Sequence, residues 1–110
     1  MPSEHSLLQV IEVSGAGRVR VRLRGELDLS SAQTVSESLR RLRDRREAVL
    51  LDLDELEFID MSGLRMVLAA AEESSRDGGS FAVTAGSAPV RRLISLVRLD
   101  MPLPLDGRST

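Results

Sequence analysis

Residues 18–24 read Arg-Val-Arg-Val-Arg-Leu-Arg, a strict alternation of cationic and aliphatic side chains over seven positions. A period of two suits only an extended strand, because a helix would scatter both types around its axis. The run therefore predicts a half-buried β-strand with Val19, Val21 and Leu23 on one face and four arginines on the other. An apolar stretch from Leu7 to Val13 precedes it, and Ser14-Gly15-Ala16-Gly17 supplies a turn, so the two runs predict a β-hairpin. The arginine row reads as a solvated sheet face. All fifteen basic residues are arginine, but seventeen carboxylates leave a net charge of −2, which argues against a phosphate backbone as its target.

Gly25-Glu26-Leu27-Asp28 breaks the alternation, and Ser30 or Ser31 is suited to cap a helix. Ala32, Val35, Leu39 and Leu42 then recur at spacings of three and four, marking a buried helix face up to about Asp44. Glu37 and Arg41 have the spacing of an outward i,i+4 pair. Ala48–Leu53 is a compact apolar run, expected as a central strand covered on both faces. Asp54–Asp60 reads as a charged loop leading into a second helix, with Ser62 as its cap and Leu64, Val67, Leu68 and Ala71 as its core stripe. That helix should end before Gly78-Gly79. Ser80–Ala85 predicts a further strand. Ser87 should cap a third helix, with Pro89 in its first turn and Val90, Leu93, Ile94 and Val97 facing inward. Met101-Pro-Leu-Pro-Leu105 can be at most a short edge strand, since each proline removes a ladder donor.

The resulting order is β-β-α-β-α-β-α. It predicts one α/β domain, built on a mixed, mainly parallel sheet with an N-terminal hairpin and helices packed against it. A chain of 110 residues suits a single core, here residues 7–105 between tails at 1–6 and 106–110.

Composition removes several chemistries. Without lysine there is no Schiff-base amine and no P-loop. Without cysteine there is no thiol nucleophile or thiolate metal site, and the single histidine, His5, lies in the N-terminal tail. Phe58 and Phe81 are the only aromatics, too few for a base-stacking platform. No apolar run reaches the roughly 18 residues of a membrane span, and a soluble, cytoplasmic chain is expected. Asp52, Asp54, Glu55, Glu57 and Asp60 cluster before the second helix. A metal or acid–base role is conceivable for them, and an exposed charged loop is the plainer reading. The chain is not expected to be an enzyme or to bind a metal or cofactor.

One junction stands apart. In Phe58-Ile59-Asp60-Met61-Ser62-Gly63-Leu64 a serine sits where a strand gives way to a helix. The free N–H groups and dipole of a helix start favour negative charge, so a phosphate on Ser62 would be tolerated there. It would add about two negative charges beside Asp60. The plainer role for Ser62 is the helix cap, although Arg65 stands where a reciprocal capping box would want Glu or Gln.

Gly25-Glu26-Leu27-Asp28, the stretch VLLDLDELEFIDMSGL at 49–64 and AGSAPVRRLISLVRLD at 85–100 together resemble the STAS domain, and more narrowly the bacterial anti-sigma factor antagonists. The resemblance spans about residues 7–100, with the Asp-x-Ser-Gly-Leu junction its most specific part. It implies a switch: Ser62 is phosphorylated by a partner that is both anti-sigma factor and ATP-dependent serine kinase. The unmodified form binds that partner and frees a sigma factor, the phosphorylated form lets go, and a Ser/Thr phosphatase resets it. ATP and magnesium then belong to the partner. The resemblance also implies that Asp60 orients the Ser62 hydroxyl and the loop, and that Asp28, Leu29 and Ser30 lie beside Ser62. With Met61 and Gly63 these form a candidate partner-binding face. To it the helix wheel adds Arg65 and the off-stripe Met66, Ala69 and Ala70, a partly apolar patch suited either to a protein interface or to shallow packing on a neighbouring helix. The resemblance implies no nucleic-acid partner and no membrane insertion. A STAS accessory subunit of a lipid ABC transporter, binding its ATPase, and a nucleotide-sensing STAS module are the alternatives. Two departures from the family pattern are visible. Met61 replaces a common second Ser or Thr, and the sequence given stops short of the fourth helix that members commonly carry.

Overall fold

The computed structural model describes residues 7–99 and 102–106. Its elements are β1 (Leu8–Gly15), β2 (Arg18–Leu27), α1 (Leu29–Asp44), β3 (Val49–Ile59), α2 (Met61–Arg76), β4 (Phe81–Val83) and α3 (Ala88–Leu96). The four strands lie in the order β1-β2-β3-β4, the first pair antiparallel and the others parallel. The mixed sheet with an N-terminal hairpin is thus as the sequence predicts. The hairpin closes through Ala16 and Gly17 alone, with Gly15 already paired to Arg18. The N-terminal tail with His5, residues 100–101 and residues 107–110 lie outside the described residues.

α1 and α2 pack on the sheet face that carries the aliphatic half of the alternating strand. Val19, Val21, Leu23 and Leu27 of β2 meet Val35, Leu39 and Leu42 of α1, Leu64 and Val67 of α2, and Val90 of α3 in one core cluster. Ala32 and Ala71 are buried as expected, while Leu68, Leu93, Ile94 and Val97 are half-buried at the core's rim. Ser87 does precede α3, but its hydroxyl makes no cap hydrogen bond and is buried without a partner among the described residues.

The largest departure from the sequence reading is β3. It was expected to end at Leu53, yet pairing continues to Ile59, so Asp54–Ile59 is strand rather than loop. The reason lies in the register. Arg22 pairs with Asp52 but Arg24 with Glu55, and Gly25 pairs with Leu56 but Glu26 with Phe58. Each step inserts one extra residue into β3, as a β-bulge does. The inward positions therefore run Val49, Leu51, Leu53, Leu56, Ile59, all buried, at spacings of two, two, three and three. That series matches neither period. Over Val49–Leu53 every residue is buried, in keeping with a strand covered on both sides. β2 also runs on to Leu27 through Gly25, whose φ is +113° and whose hypothetical Cβ would lie 1.9 Å from the Leu7 carbonyl oxygen. Only glycine fits there.

The arginine face is solvated, and it is also paired. Arg20 bonds Asp52 at 2.8 Å, and Glu55 accepts from both Arg22 and Arg24 at 2.7 Å. The hydrogen bond from Arg22, then that from Arg24, holds the Glu55 carboxyl below its ordinary value. The expected Glu37–Arg41 pair does not form: Glu37 accepts from Gln33, and Arg41 reaches Glu12 on β1 at 3.4 Å. A cross-element partner has displaced the weaker local one. At the other end of the sheet, Leu105 makes a single parallel bridge to Val83, so the proline-limited edge strand shrinks to one pair. Asp106, expected in the frayed tail, instead donates its N–H to the Val83 carbonyl and accepts from Arg18 at 3.1 Å.

α1 ends on Arg46 in the left-handed region, at φ 61°. The Arg46 N–H donates to the Arg43 carbonyl and the Glu47 N–H to that of Leu42, the bond pair of a Schellman ending. Glycine normally occupies that position, because a Cβ there costs about 1–2 kcal/mol. Arg46→Gly should therefore raise stability by about 1 kcal/mol in urea denaturation. A loss of stability would show that the Arg46 side chain makes a compensating contact.

Candidate functional site

The C-terminal ends of β2 and β3 finish level, with Leu27 paired to Ile59. Each strand then turns directly into a helix, and the two turns have matching sequences: Asp28-Leu29-Ser30-Ser31 opens α1 and Asp60-Met61-Ser62-Gly63 opens α2. In both, the aspartate is the N-cap, so neither Ser30, Ser31 nor Ser62 caps its helix. A carboxylate placed one turn ahead of free N–H groups outcompetes a hydroxyl already inside the turn.

Asp28 accepts from the N–H groups of Ser30 and Ser31 at 3.0 and 3.2 Å, and from the Ser30 hydroxyl at 2.7 Å. Ser31 closes the box: its hydroxyl accepts from the Asp28 N–H at 3.1 Å and donates to the Glu26 carbonyl at 3.0 Å. The Ser30 hydroxyl bond, more than any other contact, holds the Asp28 carboxyl below its ordinary value, against partial desolvation. Asp60 makes a leaner cap. Its Oδ1 accepts from the Gly63 N–H at 3.0 Å, and its own N–H donates to the Leu27 carbonyl at 3.2 Å, lacing the two strand ends together. Of the two roles expected of Asp60, its carboxylate holds the junction through the Gly63 N–H and makes no hydrogen bond to the Ser62 hydroxyl. Half-buried Ser62 makes no side-chain hydrogen bond to any described residue. Two serines in equivalent places therefore differ, with Ser30 donating to its cap and Ser62 uncommitted.

Gly63 is fully enclosed. A Cβ there would lie 2.7 Å from the Leu27 carbonyl oxygen and 2.8 Å from the Leu27 side chain. Its absence lets the first turn of α2 settle onto the strand ends and holds Ser62 at the surface.

Of the residues expected on a docking face, Leu29, Ser30, Met61, Arg65 and Ala69 are exposed, Leu29 at 76%. Met66 and Ala70 are half-buried and pack against the core, the shallow packing that the helix wheel offered as the alternative. Phe58, missed in the sequence reading, is 46% exposed at the end of β3 and adds an aromatic ring to the same edge of the sheet. Its sequence signal was hidden because Asp54–Ile59 did not read as strand. Met61, Arg65, Leu68 and Ala69 line one side of an open groove of about 640 Å³, with Val97 and Arg98 opposite. Arg65 and Arg98 have no ion pair among the described residues. The acidic cluster disperses: Asp52 and Glu55 serve the arginine face, and Asp54 accepts from the Gly86 N–H at 3.1 Å. Among the described residues no three His, Cys, Asp or Glu side chains are grouped to hold a metal. Nor is any helix among them long and apolar enough to cross a membrane.

Two measurements test this geometry. Asp28→Ala should cost about 1 kcal/mol at neutral pH and Asp28→Asn less, since asparagine still caps. Because folding depresses the Asp28 pKa, its charged cap contributes fully above the unfolded value of about 3.9 and is lost as pH falls through the lower folded value. The stability gap between wild type and Asp28→Asn should therefore close in acid; a gap independent of pH would contradict it. Gly63→Ala should cost about 1–3 kcal/mol in the same denaturation assay, through overpacking against Leu27.

Residues 8–106 match the STAS domain family. The chain is 33% identical over 100 residues to an anti-sigma F factor antagonist of Paenibacillus polymyxa, covering 89% of this chain and 86% of the relative. An anti-sigma factor antagonist from Mycobacterium paratuberculosis superposes with a TM-score of 0.77 at 25% identity, covering 91% of this chain and 86% of the other. The phosphorylated form of the Bacillus cell-fate determinant SpoIIAA shares the fold, with a TM-score of 0.63 at 21% identity over 81% of each chain. The level strand ends, the paired helix starts and these likenesses lead to one assignment: the chain belongs to the STAS domain family.

Proposed function

We propose that this protein is an anti-sigma factor antagonist whose state is set by phosphorylation of Ser62. Unmodified, it docks on an anti-sigma factor that is also a serine kinase, and so frees a sigma factor. Once Ser62 carries a phosphate, the complex parts, and a Ser/Thr phosphatase restores the docking form. One observation carries this reading: the Ser62 hydroxyl is uncommitted at a helix start fixed by Asp60 and Gly63, whereas its counterpart Ser30 is bonded to Asp28 at 2.7 Å. A kinase therefore meets at Ser62 a positioned nucleophile with no intramolecular bond to break.

The surroundings support docking. Leu29, Phe58 and Met61 offer apolar surface at the same sheet edge, and Asp28, Asp60 and the exposed Glu57 supply negative charge. An apolar centre with a charged rim suits a transient interface. A dianion added at its middle changes the charge there by about two units, enough to repel a partner fitted to the unmodified face. In this scheme ATP and magnesium are bound by the kinase, and this chain supplies the acceptor and the surface.

Incubation with the cognate anti-sigma kinase and ATP should add one phosphate, mapped to Ser62 by mass spectrometry, with Ser30 unmodified. Ser62→Ala should abolish labelling and keep binding to the anti-sigma factor. Ser62→Asp should weaken binding by about tenfold or more, equivalent to at least about 1.4 kcal/mol. Phosphate on the Ser62→Ala chain would defeat the site assignment. Copurification with a membrane ABC ATPase, with Ser62 never modified, would replace the antagonist reading by a transporter one.

A further inference from the structure

The two matching helix starts differ one turn further on. Three residues after Ser62 stands Arg65, and three residues after Ser30 stands Gln33, which is bonded to Glu37 at 3.2 Å. Residues three apart on a helix are neighbours, with Cβ atoms about 5–6 Å apart. Arg65 is exposed on the same turn as Met61 and has no ion pair among the described residues. Arg22 and Arg24 are committed to Glu55 and Arg43 to Glu73 and Asp77, whereas Arg65 is an unpaired cation among the described residues one turn from Ser62. An anion placed on Ser62 would therefore find one nearby guanidinium free to turn towards it.

We propose that Arg65 is the intramolecular counter-ion of phosphorylated Ser62, closing over the first turn of α2 to hold the phosphate. The inference rests on Ser62 being the phosphorylated residue. The pair runs in the favourable direction, with the anion nearer the helix N-terminus and the cation one turn on, as the helix dipole prefers. A guanidinium can also grip a phosphate through two N–H groups at once, which a lysine could not do. Asp60, whose carboxylate caps the same turn, opposes a further anion, so the contribution of Arg65 offsets a real repulsion. Modification then has a double effect on the docking face. It introduces a dianion and withdraws the cation that the unmodified face presents beside Met61.

The test installs phosphoserine at position 62 by genetic encoding, so it needs no kinase. Phosphorus NMR then follows the second ionisation of the phosphate, which lies near 6 in isolation. Arg65→Gln should raise that midpoint by about half a pH unit, as expected for a partly exposed ion pair. Arg65→Lys should keep most of the wild-type position, and Arg98→Gln, removing the other arginine of the groove, should leave it in place. An unchanged midpoint in Arg65→Gln, or a shift in Arg98→Gln instead, overturns the assignment of Arg65. Because the phosphate is encoded, a chain that no kinase labels at Ser62 would defeat the functional reading while leaving the Arg65 result to stand on its own.

Discussion

Leu27 and Ile59 end two parallel strands in register, and the Asp60 N–H donates to the Leu27 carbonyl across the gap. From that lacing follow the level start of two long helices, the need for a residue without a side chain at Gly63, and the surface position of Ser62. Parallel strands aim their C-terminal ends the same way, and in open α/β sheets that edge is where functional residues gather. Here the edge presents hydroxyl, carboxylate and apolar groups on backbone fixed at both ends. Such rigidity suits a surface that a partner recognises by its shape, because the backbone that presents these groups is held in place.

Much of the fold was legible in the residues. The hairpin and three helices follow from periods of two and about 3.6, since in those segments burial is one-sided and side-chain direction repeats regularly. Asp54–Ile59 escaped because two inserted residues shift the inward phase twice, leaving Leu53, Leu56 and Ile59 at spacings that no single period describes. Losing that half-strand also hid Phe58. The helix caps were misplaced for a different reason. Serine and aspartate both cap well, and the choice between them depends on which lies one residue outside the first turn, a boundary that patterning locates only to within a residue or two.

At the site, the junction around Ser62 was readable from the sequence, but the different bonding of the Ser30 and Ser62 hydroxyls was not. Ser30 and Ser62 both follow an Asp-x-Ser pattern, and the hydrogen bonding that ties Ser30 to its cap and leaves Ser62 without a partner among the described residues emerges only in three dimensions. The replacement of Glu37–Arg41 by Arg41–Glu12 makes a similar point. Local spacing proposes pairs, and tertiary neighbours with better-placed partners take them. The arginine face shows what a uniform choice of cation allows: Glu55 takes one guanidinium N–H from each of two arginines on adjacent outward positions, a shared grip that depends on directional donors.

The clasp between Arg18 and Asp106 joins positions 88 apart in the chain, and the same short segment pairs Leu105 with Val83. Without that segment the outer edge of β4 would lie open, with the Val83 N–H and carbonyl unpaired. An open parallel edge is a template for mispairing with another chain. Closure of the clasp therefore shields the β4 edge from pairing with a second copy of the chain.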